Sequence, residues 1–253
     1  MTYYTYNDIG VIGKGFVGNA VIKWFGGRVK WYSKEGGDFG EVDKKRIIFL
    51  CLPTPYDPQC GFELGALEEN IQKLSPGKII VIKSTVLPGT TKSFAKRYPQ
   101  HQFLFNPEFL RAKTAEKDFY NPDRQIVGIP DNDCKIIASK ILDLLPKAEI
   151  MTVCDSNVAE MTKLVGNCFL ALKIIFAEQM NDYCKQTGTD YKQMIRLVKF
   201  DPRIGVTHLD IGTDGYRGYG GYCFPKDMGA VIWDSESPLL EMAHKLNDYY
   251  VQL

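Results

Sequence analysis

The chain has 253 residues, 45% hydrophobic and 24% charged, with a formal net charge of +1. That is room for one large domain, or a medium one with a smaller annex, built around a real core. So balanced a charge leaves no electrostatic footprint for nucleic acid or a membrane surface. No apolar run approaches a membrane span, and Met1 to Asp8 lacks the basic start and apolar stretch of a signal peptide.

In chain order, short apolar runs alternate with helix-like stretches through the first ~150 residues, the pattern of a parallel sheet covered by helices. Asp8 to Ile12 reads as a buried strand running into Gly13-Lys14-Gly15-Phe16-Val17-Gly18, then a helical stretch from Asn19 to Phe25. Further strands are expected at Val29 to Tyr32, Arg46 to Leu52, Lys78 to Lys83, Gln102 to Phe105 and Gln125 to Gly128. Polar, turn-forming residues follow strand after strand (Pro53-Thr54-Pro55, Ser84-Thr85, Asn106-Pro107). In open α/β sheets that edge binds ligands.

Past Asp155 the pattern changes. Ser156 to about Gln186 reads as one long helix, with Met161, Leu164, Val165, Cys168, Phe169, Leu172, Ile175, Phe176 and Met180 at spacings of three and four. Gly188 suits its stop. Asp190 to Phe200 is expected as a second helix, and Ser237-Pro238 starts a last one. The expected architecture is therefore α/β: a Rossmann-type parallel sheet with helices on both faces (1–154), followed by a helical domain with one long central helix (155–253).

Gly13-x-Gly15-x-x-Gly18 between a strand and a helix is the context a dinucleotide fingerprint requires. Gly13 permits the turn, Gly15 lets a pyrophosphate lie on the backbone, and Gly18 allows close helix–strand packing, with the helix N-terminus facing the phosphates. The alternative is a glycine set that serves packing only. The acid expected after the second strand to hold the adenosine ribose is missing: Tyr32-Ser33-Lys34 stands there, with Glu35 one step beyond. Ser33 and Lys34 suit either a 2′-phosphate, hence NADP, or a neutral replacement in an NAD protein.

The chain has seven cysteines, at 51, 60, 134, 154, 168, 184 and 223. The count is odd, the spacing scattered and no Cys-x-x-Cys occurs, which argues against a disulfide framework and for a reducing cytoplasm. His101, His208 and His244 show no metal-ligand spacing, so no metal is expected. Cys223 stands apart, in Gly218-Tyr219-Gly220-Gly221-Tyr222-Cys223-Phe224-Pro225-Lys226-Asp227. It follows a glycine-built turn and precedes a lysine and an aspartate expected to open a helix, and a thiol so placed ionises more readily. The bland reading is an ordinary buried cysteine.

With Leu52-Pro53-Thr54-Pro55, Lys83-Ser84-Thr85-Val86, Asn106-Pro107-Glu108-Phe109-Leu110-Arg111, Asn121 to Gly128, Ala159-Glu160-Met161-Thr162-Lys163, Asn167 and Asp201-Pro202-Arg203-Ile204-Gly205, these segments form an ordered set. It resembles the nucleotide-sugar dehydrogenases from Ile9 to about Asn247. The resemblance implies oxidation of a sugar C6 alcohol to a carboxylate, with two hydrides passed to NAD. It implies Cys223 as the nucleophile that captures the aldehyde as a thiohemiacetal and then carries a thioester. Lys163 and Asn167, one turn apart on a helix, match groups that hold the sugar oxygen and stabilise negative charge; otherwise they would be a solvated surface pair. Glu108 and Thr85 match residues that position water or the substrate hydroxyl, and Asp227 an acid that assists proton transfer. Thr54, Thr85 and Lys226 match cofactor contacts. Phe109, Leu110, Arg111, Gly220 and Arg203 match substrate contacts, Arg203 reaching across to a neighbouring subunit. A structural Glu108–Arg111 ion pair is the alternative for those two.

Three departures stand out. Ala112 occupies the place of a second glutamate, Val206 to Arg217 is unlike the family's substrate loop, and a single helix is expected after Asp227 where the family carries a second α/β domain. A minimal form, naturally short or truncated, is therefore expected. Tyr219 and Tyr222 look like the members that convert UDP-glucose to UDP-glucuronate. A GDP-mannose enzyme, a β-hydroxyacid dehydrogenase that has no need of Cys223, and a non-catalytic cofactor-binding remnant are the alternatives. The central helix spreads apolar residues over more than one face, which predicts a homodimer.

Overall fold

The computed structural model describes residues 4–213 and 215–252, apart from the side chain of Ala112; the expectation attached to that side chain lies outside the described residues. The chain divides into two compact units, Met1–Pro55 with Phe62–Lys163, and Tyr56–Gly61 with Leu164–Leu253.

The first unit is built on eight strands: β1 (Ile9–Ile12), β2 (Lys30–Ser33), β3 (Gly36–Gly37), β4 (Ile47–Leu50), β5 (Ile79–Ile82), β6 (Gln102–Phe105), β7 (Arg124–Ile129) and β8 (Ile150–Asp155). They lie in the order β8-β7-β6-β5-β4-β1-β2-β3. Pairing is parallel except where β3 meets β2 and β7 meets β6. The central strands Ile47-Ile48-Phe49-Leu50 and Ile79-Ile80-Val81-Ile82 are buried throughout. Strands covered on both faces read as continuous apolar runs, and β-branched side chains suit them.

Alternation decides which face each residue serves. Ile9, Val11, Phe49, Val81 and Leu104 pack with Val21 and Phe25 of α1 (Phe16–Phe25), Phe119 of α5 (Ala115–Tyr120) and Ile141 of α6 (Lys135–Leu144). Ile12, Ile48, Leu50, Ile82 and Phe105 pack with Val42 of α2 (Phe39–Asp43), Leu67 and Ile71 of α3 (Gly65–Lys73) and Phe94 of α4 (Thr90–Arg97). Each such burial contributes roughly 1.5–3 kcal/mol.

Helix α7 runs from Ser156 to Thr187, 32 residues. Its first turn approaches β7 closely at Gly128, where an added Cβ would stand 2.8 Å from Ser156 Cα and 2.9 Å from Ala159 Cβ. Gly188 follows with φ +69. In the second unit, Cys168, Ala171 and Ile175 of α7 form a core with Tyr219, Met228, Ala243 and Tyr250. Ala177 and Cys184 form another with Tyr191, Ile195 and Leu209. The remaining helices are α8 (Tyr191–Val198), capped by the Asp190 side chain, α9 (Cys223–Ser235) and α10 (Pro238–Val251), with Pro238 in its first turn.

Some expectations need correction. The sheet has two strands more than the six expected. β3 is a two-glycine return, and β8 is a half-exposed edge strand leading straight into α7. β7 runs against β6, so its N-terminal Arg124, rather than its C-terminus, lies at the ligand-binding edge. The helix expected to open at Lys226 and Asp227 begins earlier, at Cys223; α10 follows it. Glu236 separates them in the left-handed region (φ +51), and Pro238 disfavours helical backbone just before it. Among the described residues no helix is long and apolar enough to cross a membrane, and no cluster of His, Cys, Asp and Glu is able to hold a metal.

Candidate active site

The turn after β1 is shaped by its glycines. Gly13 has φ +98, and a Cβ there would lie 2.2 Å from Cys51 O; one on Gly18 would lie 2.0 Å from Gly13 O. A Cβ on Gly15 would meet nothing within 4 Å. Asn19 Nδ2 donates to Lys14 O at 2.8 Å, bracing the turn, and Lys14 Nζ lies 3.6 Å from the centre of the Trp31 ring. Phe16, two-thirds exposed, opens α1, and Val17 leans on the core behind it. The open backbone at Gly15 and the free N–H groups of α1's first turn fit a dinucleotide pyrophosphate. At the end of β2, Ser33 Oγ accepts from Glu35 N at 3.3 Å and Lys34 is exposed.

Two neighbouring loops are stitched together. Thr54 Oγ1 donates to Thr85 O at 2.6 Å. Ser84 Oγ donates to Leu52 O at 2.6 Å and accepts from Leu52 N at 3.0 Å. Thr54 and Thr85 are both buried, and the hydroxyl proton of Thr54 is already committed to the protein.

Beyond β6 the chain turns through Asn106 and Pro107 into Glu108. Glu108 Oε1 lies 2.9 Å from Lys163 Nζ, both side chains nearly buried, and Glu108 Oε2 accepts from Leu110 N at 2.7 Å. Burial alone would raise this carboxyl; Lys163 and the Leu110 N–H overcome it and hold the group below the ordinary carboxylate range. The Phe109 ring lies 3.7 Å from the Arg124 guanidinium and 5.9 Å from Lys163 Nζ, measured to its centre. The alternative Glu108–Arg111 pair does not form. Arg111, largely exposed, pairs with Asp118 at 2.7 Å and also donates through Nε at 3.0 Å.

In the second unit, Asn167 Nδ2 donates to Asp227 Oδ2 at 2.5 Å, and Lys226 Nζ lies 2.5 Å from Asp227 Oδ1. Asp227 is fully buried, so both of its oxygens are answered from within. Cys223 is exposed and is the first residue of α9. By contrast, burial and then Asp227 push the nearby Cys168 thiol up to about 12. Gly220 packs against Tyr216, whose Oη would lie 2.5 Å from an added Cβ.

The residues leading to Cys223 are clamped. Arg217 pairs with Glu178 and Asp182 at 2.7 and 2.8 Å and stacks 4.3 Å from the centre of the Tyr250 ring. Gly218 N donates to Glu178 at 3.1 Å, and Tyr219 N to Asn247 Oδ1 at 2.6 Å. Arg203 is exposed and folds back onto Asp201 at 2.6 Å.

The sequence reading quoted two groups within its motifs and gave them no role. Glu160, fully buried, accepts from Gly89 N at 2.7 Å, Thr91 N at 2.8 Å and Thr91 Oγ1 at 2.6 Å, and so caps α4. Its signal is an acid flanked by the buried apolar positions Ala159 and Leu164. Lys83, the first residue past β5, is buried with its ammonium on Asn106; a lysine directly following an all-apolar strand was the clue.

Residues 36–145 match the NAD binding domain, and residues 157–249 the central domain, of the UDP-glucose/GDP-mannose dehydrogenase family. The chain is 34% identical over 200 residues to the UDP-glucose 6-dehydrogenase of Rickettsia bellii, covering 76% of this chain and 45% of that protein. It is 33% identical over 236 residues to the corresponding enzyme of Haloferax volcanii, covering 83% and 54%. The chain thus spans about half the length of these curated relatives. Its fold resembles a UDP-glucose dehydrogenase from Pyrobaculum islandicum with a TM-score of 0.84 at 26% identity, covering 95% of this chain and 68% of that one. A UDP-D-ManNAc dehydrogenase from Pyrococcus horikoshii shares the fold at 21% identity and a TM-score of 0.83. The chain belongs to the UDP-glucose/GDP-mannose dehydrogenase family of NAD-dependent oxidoreductases.

Proposed function

We infer that the chain carries the catalytic part of a UDP-glucose 6-dehydrogenase. Residues 1–154 serve as the NAD-binding domain and 155–253 as the helical domain that holds the catalytic cysteine. When bound, NAD accepts the hydrides released from the sugar carbon. Gly13 to Gly18 would cradle its pyrophosphate, Ser33 and Lys34 would serve the ribose, and Thr54, Thr85 and Lys226 would add further contacts.

Lys163 and Asn167 hold the C6 oxygen and stabilise the charge it develops, with Asp227 orienting the Asn167 amide. Once the alcohol has lost a proton and a hydride, the Cys223 thiolate adds to the aldehyde carbon. The oxygen takes up a proton, giving a thiohemiacetal. Loss of a second proton and hydride leaves a thioester. Water positioned by Glu108 and Thr85 then cleaves it, releasing the carboxylate and returning the thiol. Phe109, Leu110, Arg111, Gly220 and Arg203 line the substrate.

The observation that carries this reading is Cys223 itself: an exposed thiol at a helix N-terminus, in the unit that contains the Asn167–Asp227 bond. The test is turnover of UDP-glucose, GDP-mannose and UDP-N-acetylmannosamine with NAD, read as reduced cofactor, in wild type and Cys223→Ala. UDP-glucose is expected to be preferred, and Cys223→Ala to yield no acid product. Unchanged turnover in the variant would remove the covalent mechanism. The reading includes a homodimer through α7, supported by its exposed stripe of Val158, Met161, Val165, Phe169, Phe176 and Tyr183. Sedimentation showing only monomer at micromolar concentration would exclude it.

A further inference from the structure

Two lysines, not one, are buried near Glu108. Lys163 has its role above; Lys83 has none. Lys83 is 3% exposed, and its Nζ donates to Asn106 Oδ1 at 2.6 Å and Asn106 O at 3.3 Å. Asn106, itself fully buried, donates through Nδ2 to Ile126 O at 2.8 Å and through its backbone N to Ile82 O at 2.8 Å. The ammonium therefore clamps Asn106 between β5 and β7, where the chain leaves β6 and turns toward Glu108.

A neutral donor could satisfy the Asn106 carbonyl. Burying an ammonium is costly unless something compensates the charge. The groups facing Lys83 are Cys51 at the end of β4, Glu108, Lys163 of α7 and the Phe119 ring of α5, whose centre is 5.5 Å away. Burial pushes the Cys51 thiol up to about 12, so it is neutral in ordinary buffers. Glu108 is then the anion in the group. Burial pulls Lys83 down to about 8, against the attraction of Glu108. Two buried ammoniums share one carboxylate, Lys163 by contact and Lys83 through the field.

We propose that Lys83 is a positioning residue for the Glu108–Lys163 pair: bonded twice to Asn106, it fixes the Asn106–Glu108 turn and adds a second positive charge to the field around the Glu108 carboxylate. Any catalytic consequence rests on the dehydrogenase reading; the effect on Glu108 does not.

The test follows the Glu108 side-chain carboxyl by carbon-13 NMR, with labelled glutamate and Glu108→Gln for assignment. In wild type its resonance should show a second inflection near pH 8, as Lys83 loses its proton. Lys83→Met should abolish that inflection and raise the Glu108 midpoint by about one pH unit, a tenfold change in its ionisation equilibrium. Lys83→Gln, which keeps a neutral donor to Asn106, should do the same, and Lys83→Arg should restore the wild-type midpoint. In the turnover assay, Lys83→Met should lower kcat about tenfold and shift the acid limb of its pH profile by the same unit, with KM for the sugar nucleotide little changed. A wild-type resonance without the inflection, or a folded Lys83→Met or Lys83→Gln protein with an unmoved midpoint, overturns the proposal. An inactive wild type would count against the dehydrogenase reading alone, since the NMR arm still decides on Lys83.

Discussion

Gly15 and Gly18 sit three residues apart in one turn, yet alanine should act on them in opposite ways. At Gly18 the new Cβ would be 2.0 Å from Gly13 O and 2.8 Å from its carbon, both backbone atoms that no rotamer change can move. Overpacking of this kind costs about 1–3 kcal/mol. For a unit of this size that lowers Tm by roughly 3–10 °C. At Gly15 the Cβ meets nothing within 4 Å and φ is an ordinary −73. Gly15→Ala should therefore leave stability within about 0.5 kcal/mol of wild type. Its methyl group occupies the space a pyrophosphate needs, so NAD affinity should fall at least about tenfold, or ~1.4 kcal/mol. Thermal melts without ligand and calorimetry with NAD separate the two effects. If Gly15→Ala binds NAD as wild type does, the phosphates do not lie on this turn and the cofactor assignment fails.

Two further outcomes follow from single side chains. Glu160→Ala strips the acceptor from three donors at the start of α4, the two on Thr91 buried, and should cost about 2–4 kcal/mol by urea melting; a loss below about 0.5 kcal/mol would show that water replaces the carboxylate. The hydrogen bond from Arg111 holds the Asp118 carboxyl well below the usual range, helped by the Arg111 backbone N–H and Thr114 against a burial penalty. Its stabilisation is therefore present above the unfolded value near 4 and lost as pH falls below it. Asp118→Asn should cost roughly 1 kcal/mol at pH 7, with the gap to wild type closing in acid; a gap that persists at pH 2 would contradict the charge argument.

The sheet was legible where strands are buried on both faces: β4 and β5 are unbroken apolar runs that admit few other readings. β8 was not, because a half-exposed edge strand shows neither a run nor a clean alternation. Cys223 could be found from its glycines, but the start of its helix could not, since Gly220-Gly221-Tyr222 reads as turn until tertiary packing decides. The pairing of Glu108 with Lys163 could not be read from the sequence, where nearness suggests only Arg111, the alternative partner. Pro107 and the turn to Leu110 aim the carboxylate at α7 instead. Lys83 and Glu160, though part of quoted motifs, were given no role because charged residues are ordinarily assigned to the surface.

The clamp on the cysteine loop has a consequence for how the protein is made. Tyr219 is tied to Asn247, and Arg217 lies against Tyr250, so the loop lacks these partners until α10 has left the ribosome. A nascent chain stalled before Asn247 should leave the Cys223 thiol without its finished setting, however complete the strands behind it.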